Sequence, residues 1–142
     1  MNANNFTTKA LEALSNAQQD AFNNSNPQLE TIHLLKGMLE VDEDALPFLL
    51  EKAGVNKNIL LGKVEEKIKA LPKVTGSNTE VIPSSSFGKL LLQSNKLLKD
   101  FEDTYVSVDI LLLAMLSIND DSTKLLKDVG VEEKKLRAAI LE

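Results

Sequence analysis

Histidine is the side chain best suited to proton transfer at neutral pH, and the sequence contains one, His33. To activate a serine nucleophile it would need a turn of the Gly-x-Ser-x-Gly type, and no such segment occurs. His33 stands beside Leu34 and Leu35 near the start of an apolar helix. We therefore expect His33 to be a half-buried structural residue whose ring forms hydrogen bonds with the nearby backbone. No Cys is present as a nucleophile. We therefore expect no catalytic residues, although two of the 21 acidic residues could still form an acid–base pair.

Ligands for a metal ion are equally scarce. One His and no Cys leave only carboxylates, and the triplet Asp42, Glu43 and Asp44 lacks the glycine turn and downstream Glu of a calcium loop. We interpret the triplet as a solvated loop in which Asp44 caps the next helix. The Gly-Lys pairs at Gly62 and Gly88 are followed by Val and Leu, where a nucleotide-binding loop has Ser or Thr. The chain is therefore expected to hold neither a metal nor a cofactor.

The charge balance argues against nucleic acid as a partner, because the formal net charge is −5 and only one Arg is present. The longest uninterrupted apolar run, residues 110–116, is much shorter than the roughly 20 residues that cross a bilayer. Residues 1–5 lack the basic-then-apolar pattern of a signal peptide. Since the absence of Cys suits a reducing compartment, the pattern predicts a cytoplasmic protein that contacts neither nucleic acid nor membrane.

The elements that would position any site are predicted to be helices. There are 25 Leu against five Phe, one Tyr and no Trp, and leucine loses little side-chain freedom in a helix. Periodicity and stop signals predict an all-α fold of eight helices. Their bounds are about 6–22, 31–40, 45–53, 57–70, 86–102, 107–117, 122–129 and 132–141.

The second half of the chain repeats the first. A shift of 77 residues places Gly-Met-Leu at 37–39 on Ala-Met-Leu at 114–116, and a shift of 76 places Ala-Gly-Val at 53–55 on Val-Gly-Val at 129–131. Residues 72–85 are rich in turn formers and are predicted to link the repeats, which span about 1–71 and 86–142. Neither repeat alone buries enough surface to be comfortably stable. We therefore predict one domain in which two four-helix units pack about a pseudo-twofold axis.

Two segments of the repeat are similar to the signature of a known family. Residues 31–39, Thr-Ile-His-Leu-Leu-Lys-Gly-Met-Leu, and residues 107–116, Ser-Val-Asp-Ile-Leu-Leu-Leu-Ala-Met-Leu, resemble the paired Thr-Glu-His-Leu-Leu-Leu-Ala-Leu signatures of the Clp amino-terminal domain. Residues 70–76 and 81–84 resemble the Leu-Pro-x-Val-x-Gly and Val-x-Pro-Ser stretch of ClpB-type disaggregases, and residues 6–10 resemble their opening helix. The resemblance covers essentially the whole chain.

The resemblance implies a helical module that engages clients above a hexameric AAA+ ring, which threads aggregated polypeptide through its pore. ATP and Mg²⁺ would act in that ring, so this chain is expected to need no cofactor and to be no enzyme itself. The implied partners are unfolded or aggregated polypeptides, the other subunits and ATPase domains of the parent hexamer, and co-chaperones. The isolated chain is expected to be monomeric.

In ClpB-type domains clients bind in a shallow apolar groove with a polar edge, and the resemblance maps this groove onto particular residues. Asp109 stands where the family usually has Glu, which is one methylene longer. The fifth helix carries apolar residues on more than one face, so an exposed one would contribute to such a groove. The implied client-binding residues are Thr7, Asp103 and Asp109 at the edge, and Leu91, Leu97 and Ile110 in the groove.

The residues alone leave other interpretations open. Thr7 suits a helix cap, and Asp103 suits a loop that stabilises the next helix. The three apolar groove residues would be assigned to the core of any helical protein. A different function, docking adaptors or reading phosphoarginine as in ClpC-type or ClpA-type unfoldases, would use the Glu of the signature, which Ile32 and Asp109 replace here. An apolar Ile cannot hold a guanidinium, so this alternative is disfavoured.

Overall fold

The structure, a computed structural model, describes residues 5–75 and 80–141 and confirms the all-α fold. Every predicted helix is present, with ends that differ by at most two residues from the prediction. None of the helices in these ranges combines the length and the apolar character needed to cross a membrane. The helices are α1 (Thr8–Asn23), α2 (Thr31–Val41), α3 (Ala45–Lys52), α4 (Lys57–Lys69), α5 (Ser85–Asp100), α6 (Val108–Ser117), α7 (Asp121–Asp128) and α8 (Glu133–Leu141), and two short strands are β1 (Gln28–Leu29) and β2 (Ile82–Pro83).

Two short parallel pairings join the halves of the chain. β1 pairs with β2, with Leu29 opposite Pro83, and an isolated bridge joins Phe6 to Val106. The shift of 77 residues carries Leu29 onto Val106 and Phe6 onto Pro83, so the two pairings are equivalent. In each pairing a segment that precedes a helix of one half meets a segment of the other half. This exchange supports the predicted pseudo-twofold packing of two four-helix units into one domain.

The helices that follow these pairings begin with equivalent caps. Thr7 Oγ1 accepts from the backbone N–H of Ala10 at 3.2 Å, and Ser84 Oγ accepts from that of Phe87 at 3.1 Å. Each cap satisfies one of the amides that a helix start leaves without an intrahelical partner. The cap of α5 is Ser84, so the helix begins at Ser85, one residue before the predicted start at residue 86.

The cap of α3 also differs from the prediction. The Asp44 side chain forms no cap hydrogen bond. Instead, the Asp42 carboxylate accepts from the backbone N–H groups of Asp44, Ala45 and Leu46 at 2.9, 3.1 and 3.2 Å. Asp42 is 4% exposed, so the acidic triplet is only partly a solvated loop. Because Asp42 also ends α2, one side chain fixes the short turn between two helices.

The core lies around α2 and α6, the second helix of each half. Between Thr31 and Leu39 all residues of α2 except Lys36 are buried, and in α6 only Asp109 interrupts the buried run from Val108 to Leu116. Gly37 of α2 lies against α1 so closely that a Cβ at this position would be 2.3 Å from the Ala13 carbonyl oxygen. Close packing of α1 on α2 therefore requires glycine at position 37.

The predicted linker, residues 72–85, is fixed to the domain on both sides of residues 76–79, which lie outside the described ranges. On one side the Val74 amide donates to the Ser25 carbonyl at 2.9 Å. The Asn26 Nδ2 group donates to the Pro72 carbonyl at 3.1 Å. On the other side β2 lies within the predicted linker. These bonds fix the segment to the first half, and Ser84 near its end caps α5 of the second half.

Candidate functional site

His33 is fully buried at the start of α2. Its Nδ1 accepts from the backbone N–H of Glu30 at 2.9 Å, so Nε2 carries the proton and donates to Asn26 Oδ1 at 2.9 Å. Burial lowers the pKa of His33, although the carboxylates of Asp20 and Glu30 act in the opposite direction. Both ring nitrogens are engaged within the protein and neither is free for a reactant. This geometry agrees with the predicted structural role of His33. The side chain is fully buried, however, whereas the sequence predicted a half-buried one.

The described residues show no metal-binding constellation. In the ranges 5–75 and 80–141 no group of three or more His, Cys, Asp or Glu side chains is arranged to hold an ion. The acidic triplet at residues 42–44 was the sequence segment most similar to a metal-binding loop. In the structure the Asp42 carboxylate accepts hydrogen bonds from three backbone amides.

The residues that the resemblance assigns to a client groove lie around the Phe6–Val106 bridge. The Thr7 amide donates to the Val106 carbonyl at 2.9 Å, and the Val106 amide donates to the Asn5 carbonyl at 2.7 Å. The Asn5 side chain then donates to Asn95 Oδ1 on α5 at 2.7 Å. We call this region the α5–α6 surface, and it comprises Asn5, Thr7, Leu91, Leu92, Asn95, Asp103, Tyr105 and Asp109.

The polar residues predicted for the groove have different surroundings. Thr7 is half-buried and caps α1 through its hydroxyl, so the structural role considered for it is present. Asp103 lies in the loop before α6, where its amide donates to the Leu98 carbonyl at 3.0 Å. Its carboxylate is exposed and forms no hydrogen bond with any residue that the structure describes. Asp109 is half-buried at the start of α6 and accepts from the Ser107 hydroxyl.

The apolar residues predicted for the groove are divided between the core and the surface. Leu97 is 4% exposed and Ile110 is 1% exposed, so both belong to the core. Leu91 is half-buried and packs against that core. Its carbonyl accepts from the Asn95 side chain one turn further along α5, at 2.9 Å. Of the three, only Leu91 offers part of its side chain to a ligand in this conformation.

Two other apolar side chains of the α5–α6 surface are exposed. Leu92 is 68% exposed and Tyr105 is 55% exposed. Leu92 precedes Asn95 by three positions, which places the two residues on the same face of α5. Tyr105 directly precedes Val106, whose backbone bonds to both Asn5 and Thr7. Leu92 is an exposed apolar residue of the kind expected on this helix. Tyr105 was not predicted from the sequence, although an aromatic residue in a polar loop is a signal that could have identified it.

The sequence comparisons identify related proteins over the whole chain. A family model described as the Clp repeat N-terminal domain matches residues 5–129. The chaperone protein ClpB of Bacteroides thetaiotaomicron is 34% identical over 142 residues, which is 100% of this chain and 16% of that protein. Chaperone protein ClpB 2 of Nostoc sp. is 36% identical over 139 residues, 98% of this chain and 16% of that protein. The chain therefore spans about one sixth of the length of the curated relatives it matches.

Solved structures show the same fold. The Hsp104 N-terminal domain from Candida albicans superposes with a TM-score of 0.84 at 25% identity, covering 97% of this chain and 90% of that one. A ClpV N-domain, solved in complex with a VipB peptide, has a TM-score of 0.73 at 17% identity and covers 96% of this chain and 86% of its own. At that identity the second likeness shows the fold alone.

Proposed function

The chain belongs to the Clp repeat N-terminal domain family, and from this premise we propose that it is the substrate-engaging N-terminal domain of a ClpB-type ATP-dependent disaggregase. In this proposal the α5–α6 surface binds exposed hydrophobic segments of unfolded or aggregated proteins. The observation that carries the proposal is the pair of exposed apolar side chains, Leu92 and Tyr105, beside the positions that the resemblance assigns to clients. Large apolar side chains left on a surface commonly mark a site of interaction with another polypeptide.

The composition of the surface suits a client without a fixed sequence. Leu92, Tyr105 and the exposed part of Leu91 offer apolar area, and burial of such area contributes about 25 cal/mol per Å². The carboxylate of Asp103 and the side chains of Asn5 and Asn95 can accept from the amides of an extended chain. Ordering an unfolded client costs free energy that offsets much of this gain. Binding is therefore weak and tolerant of sequence, as suits a domain that must release its client.

The buried members of the predicted groove take a supporting role in this proposal. Leu97 lies under the surface on the same helix as Leu91, and Ile110 lies in the first turn of α6. They would hold α5 and α6 in place, and clients would meet Leu91 and Leu92 above them. Thr7 and Asp109 would act from the edge, where both already bond within the protein. A fold of the same kind binds a peptide in the ClpV N-domain complex.

The wider setting of the domain is part of the same proposal. A longer parent would carry the ATPase domains and assemble as a hexamer, with ATP and Mg²⁺ bound outside this chain. Unfolded or aggregated polypeptides and co-chaperones would be its partners in the cytoplasm, and this chain alone would be monomeric and non-catalytic. The net charge of −5 is consistent with a partner other than nucleic acid.

The experiment compares three single variants in binding to a permanently unfolded, fluorescently labelled polypeptide, measured by anisotropy. Leu92→Ser and Tyr105→Ser each remove an exposed apolar side chain from the α5–α6 surface. Ile59→Ser, on α4, removes a side chain that is 60% exposed and outside this surface, so it is the matched control. Leu92→Ser or Tyr105→Ser removes one apolar side chain that would be buried against the client, so each is expected to weaken binding about fivefold. Equal affinities for all three variants and the unchanged chain would refute the assignment of the surface.

A further inference from the structure

A concave site, separate from the α5–α6 surface, lies between the two halves, at the start of α2, α5 and α7 and the end of α4. It is a pocket of about 250 Å³ with an opening to solvent. We call it the inter-half pocket. Its lining includes the apolar residues Ile32, Ala70 and Leu71 and the charged residues Glu30, Lys67 and Asp121.

The inter-half pocket is the pseudo-symmetric counterpart of one edge of the α5–α6 surface. The shift of 77 residues carries Ile32 onto Asp109 and Glu30 onto Ser107. Where the α5–α6 surface has a carboxylate, the pocket therefore has an isoleucine, and Ile32 is 5% exposed at its base. Leu71 and Ala70, from the end of α4, supply further apolar lining. The replacement changes the chemistry of the equivalent position from charged to apolar.

The polar groups at one end of the pocket are already bonded to each other. The Thr31 hydroxyl donates to Asp120 Oδ2 at 2.6 Å and lies 2.6 Å from the Ser122 hydroxyl. Asp120 Oδ1 accepts from the Thr123 amide at 3.0 Å, in the cap of α7. Thr31 and Ser122 are 3% and 1% exposed. This end of the pocket is therefore rigid and does not require a polar ligand to satisfy it.

Three carboxylates and one ammonium group line the pocket, so its formal charge is negative. Glu30 occupies the N-cap position of α2, and the Asp120 carboxylate caps α7, so both acids lie at helix starts, where the partial positive charge favours them. The remaining lining charges, Lys67 and Asp121, are of opposite sign. An anionic ligand is disfavoured here, because a phosphate group would face three carboxylates and one Lys. A neutral apolar group would contact Leu71 and Ala70, which are accessible, above Ile32, which is almost fully covered.

From this geometry we infer that the inter-half pocket is a second client site, which takes one apolar side chain of about leucine or phenylalanine size from an unfolded polypeptide. The inference rests on the proposed function, since it assigns the same class of partner to a second place on the domain. The carboxylate of Asp121 and the hydroxyl of Ser86 stand at the lining and can accept from the client backbone. One client that occupies both sites would bind more tightly than at either site alone, because the second contact is intramolecular.

The test is an NMR titration of the isotope-labelled chain with two short unstructured peptides. One is polar except for a single Leu, and the other has Ser in place of that Leu. The Leu peptide is expected to shift the amides of Ile32, Leu71 and Ser122, and the Ser peptide is expected to leave them unchanged. Equal shifts with both peptides, or larger shifts with a phosphoarginine peptide, would overturn the assignment of an apolar ligand.

Variants at the end of α4 separate the pocket from the α5–α6 surface. Ala70→Gln places a larger polar side chain on an exposed lining position and is expected to weaken binding of the Leu peptide at the pocket about fivefold or more. Lys69→Gln, next to it and outside the lining, is the control and should leave binding unchanged. Shifts at Leu92 and Tyr105 with none at the pocket would refute the second site alone. Shifts at neither place would refute both the second site and the proposed function.

Discussion

The cap of α3 gives a sharp test of the structure, because two neighbouring acids differ in their predicted contributions. Asp42→Ala removes the acceptor of three amide hydrogen bonds, of 2.9, 3.1 and 3.2 Å, and leaves the amide of buried Leu46 without this partner. Loss of an ordinary cap costs about 0.5–2 kcal/mol, and hydrogen bonds to a charged group lie at the upper end of their range. We therefore expect Asp42→Ala to lower the free energy of unfolding by about 2–3 kcal/mol.

The matched control is Asp44→Ala, because Asp44 directly precedes α3 but its side chain forms no cap bond. Its loss should cost no more than about 0.5 kcal/mol, the usual effect of a surface substitution. For a domain of this size 1 kcal/mol corresponds to about 4 °C in Tm, so the two variants should differ by roughly 8 °C. Thermal and urea unfolding followed by circular dichroism measure both. Equal losses, or a larger loss for Asp44→Ala, would refute the assignment of the cap to Asp42.

Two further predictions concern the core. Gly37→Ala should destabilise the domain by about 2 kcal/mol or more because its Cβ would meet the Ala13 carbonyl, whereas Gly62→Ala on open α4 should stabilise it by about 0.5–1 kcal/mol. A stable Gly37→Ala variant in urea unfolding would contradict the close contact. The lowered pKa of His33 means that the unfolded state, with the ordinary value of 6.5, takes up a proton before the folded state does. The stabilising contribution of neutral His33 to the free energy of unfolding is therefore fully present above pH 6.5 and is lost as the pH falls below it. Urea unfolding at a series of pH values should show a much smaller loss of stability at low pH in His33→Gln.

Much of the fold could be predicted because its signals are local. Helical periodicity and glycine stops such as Gly54, whose φ is +73°, depend on residues within one or two turns. The cap of α3 was predicted wrongly because the rule looks at the residue before the helix, and the turn after α2 is short enough for Asp42 to reach past it. The pairings of Phe6 with Val106 and of β1 with β2 were not predicted, since strands of one or two residues carry no alternating pattern.

The candidate site was less predictable because exposure depends on tertiary packing. Periodicity shows that α5 has apolar residues on more than one face, but it does not decide which of them a neighbouring helix covers. In the structure Leu97 is covered and Leu92 is not. Tyr105 lies in a loop, where no periodicity applies. Similarly, the pocket at Ile32 arises from four helix ends that are distant in sequence, so its apolar lining is visible only in the folded chain.

The most direct test of the central claim is an NMR titration of the isotope-labelled chain with an unfolded, aggregation-prone protein, following the backbone amides. We predict that the perturbed amides cluster on Asn5, Thr7, Leu92, Asp103 and Tyr105, with the solvent-facing turns of α3 and α8 unaffected. No perturbation of these amides at millimolar client, in a chain that remains folded, would contradict the claim that the α5–α6 surface engages clients.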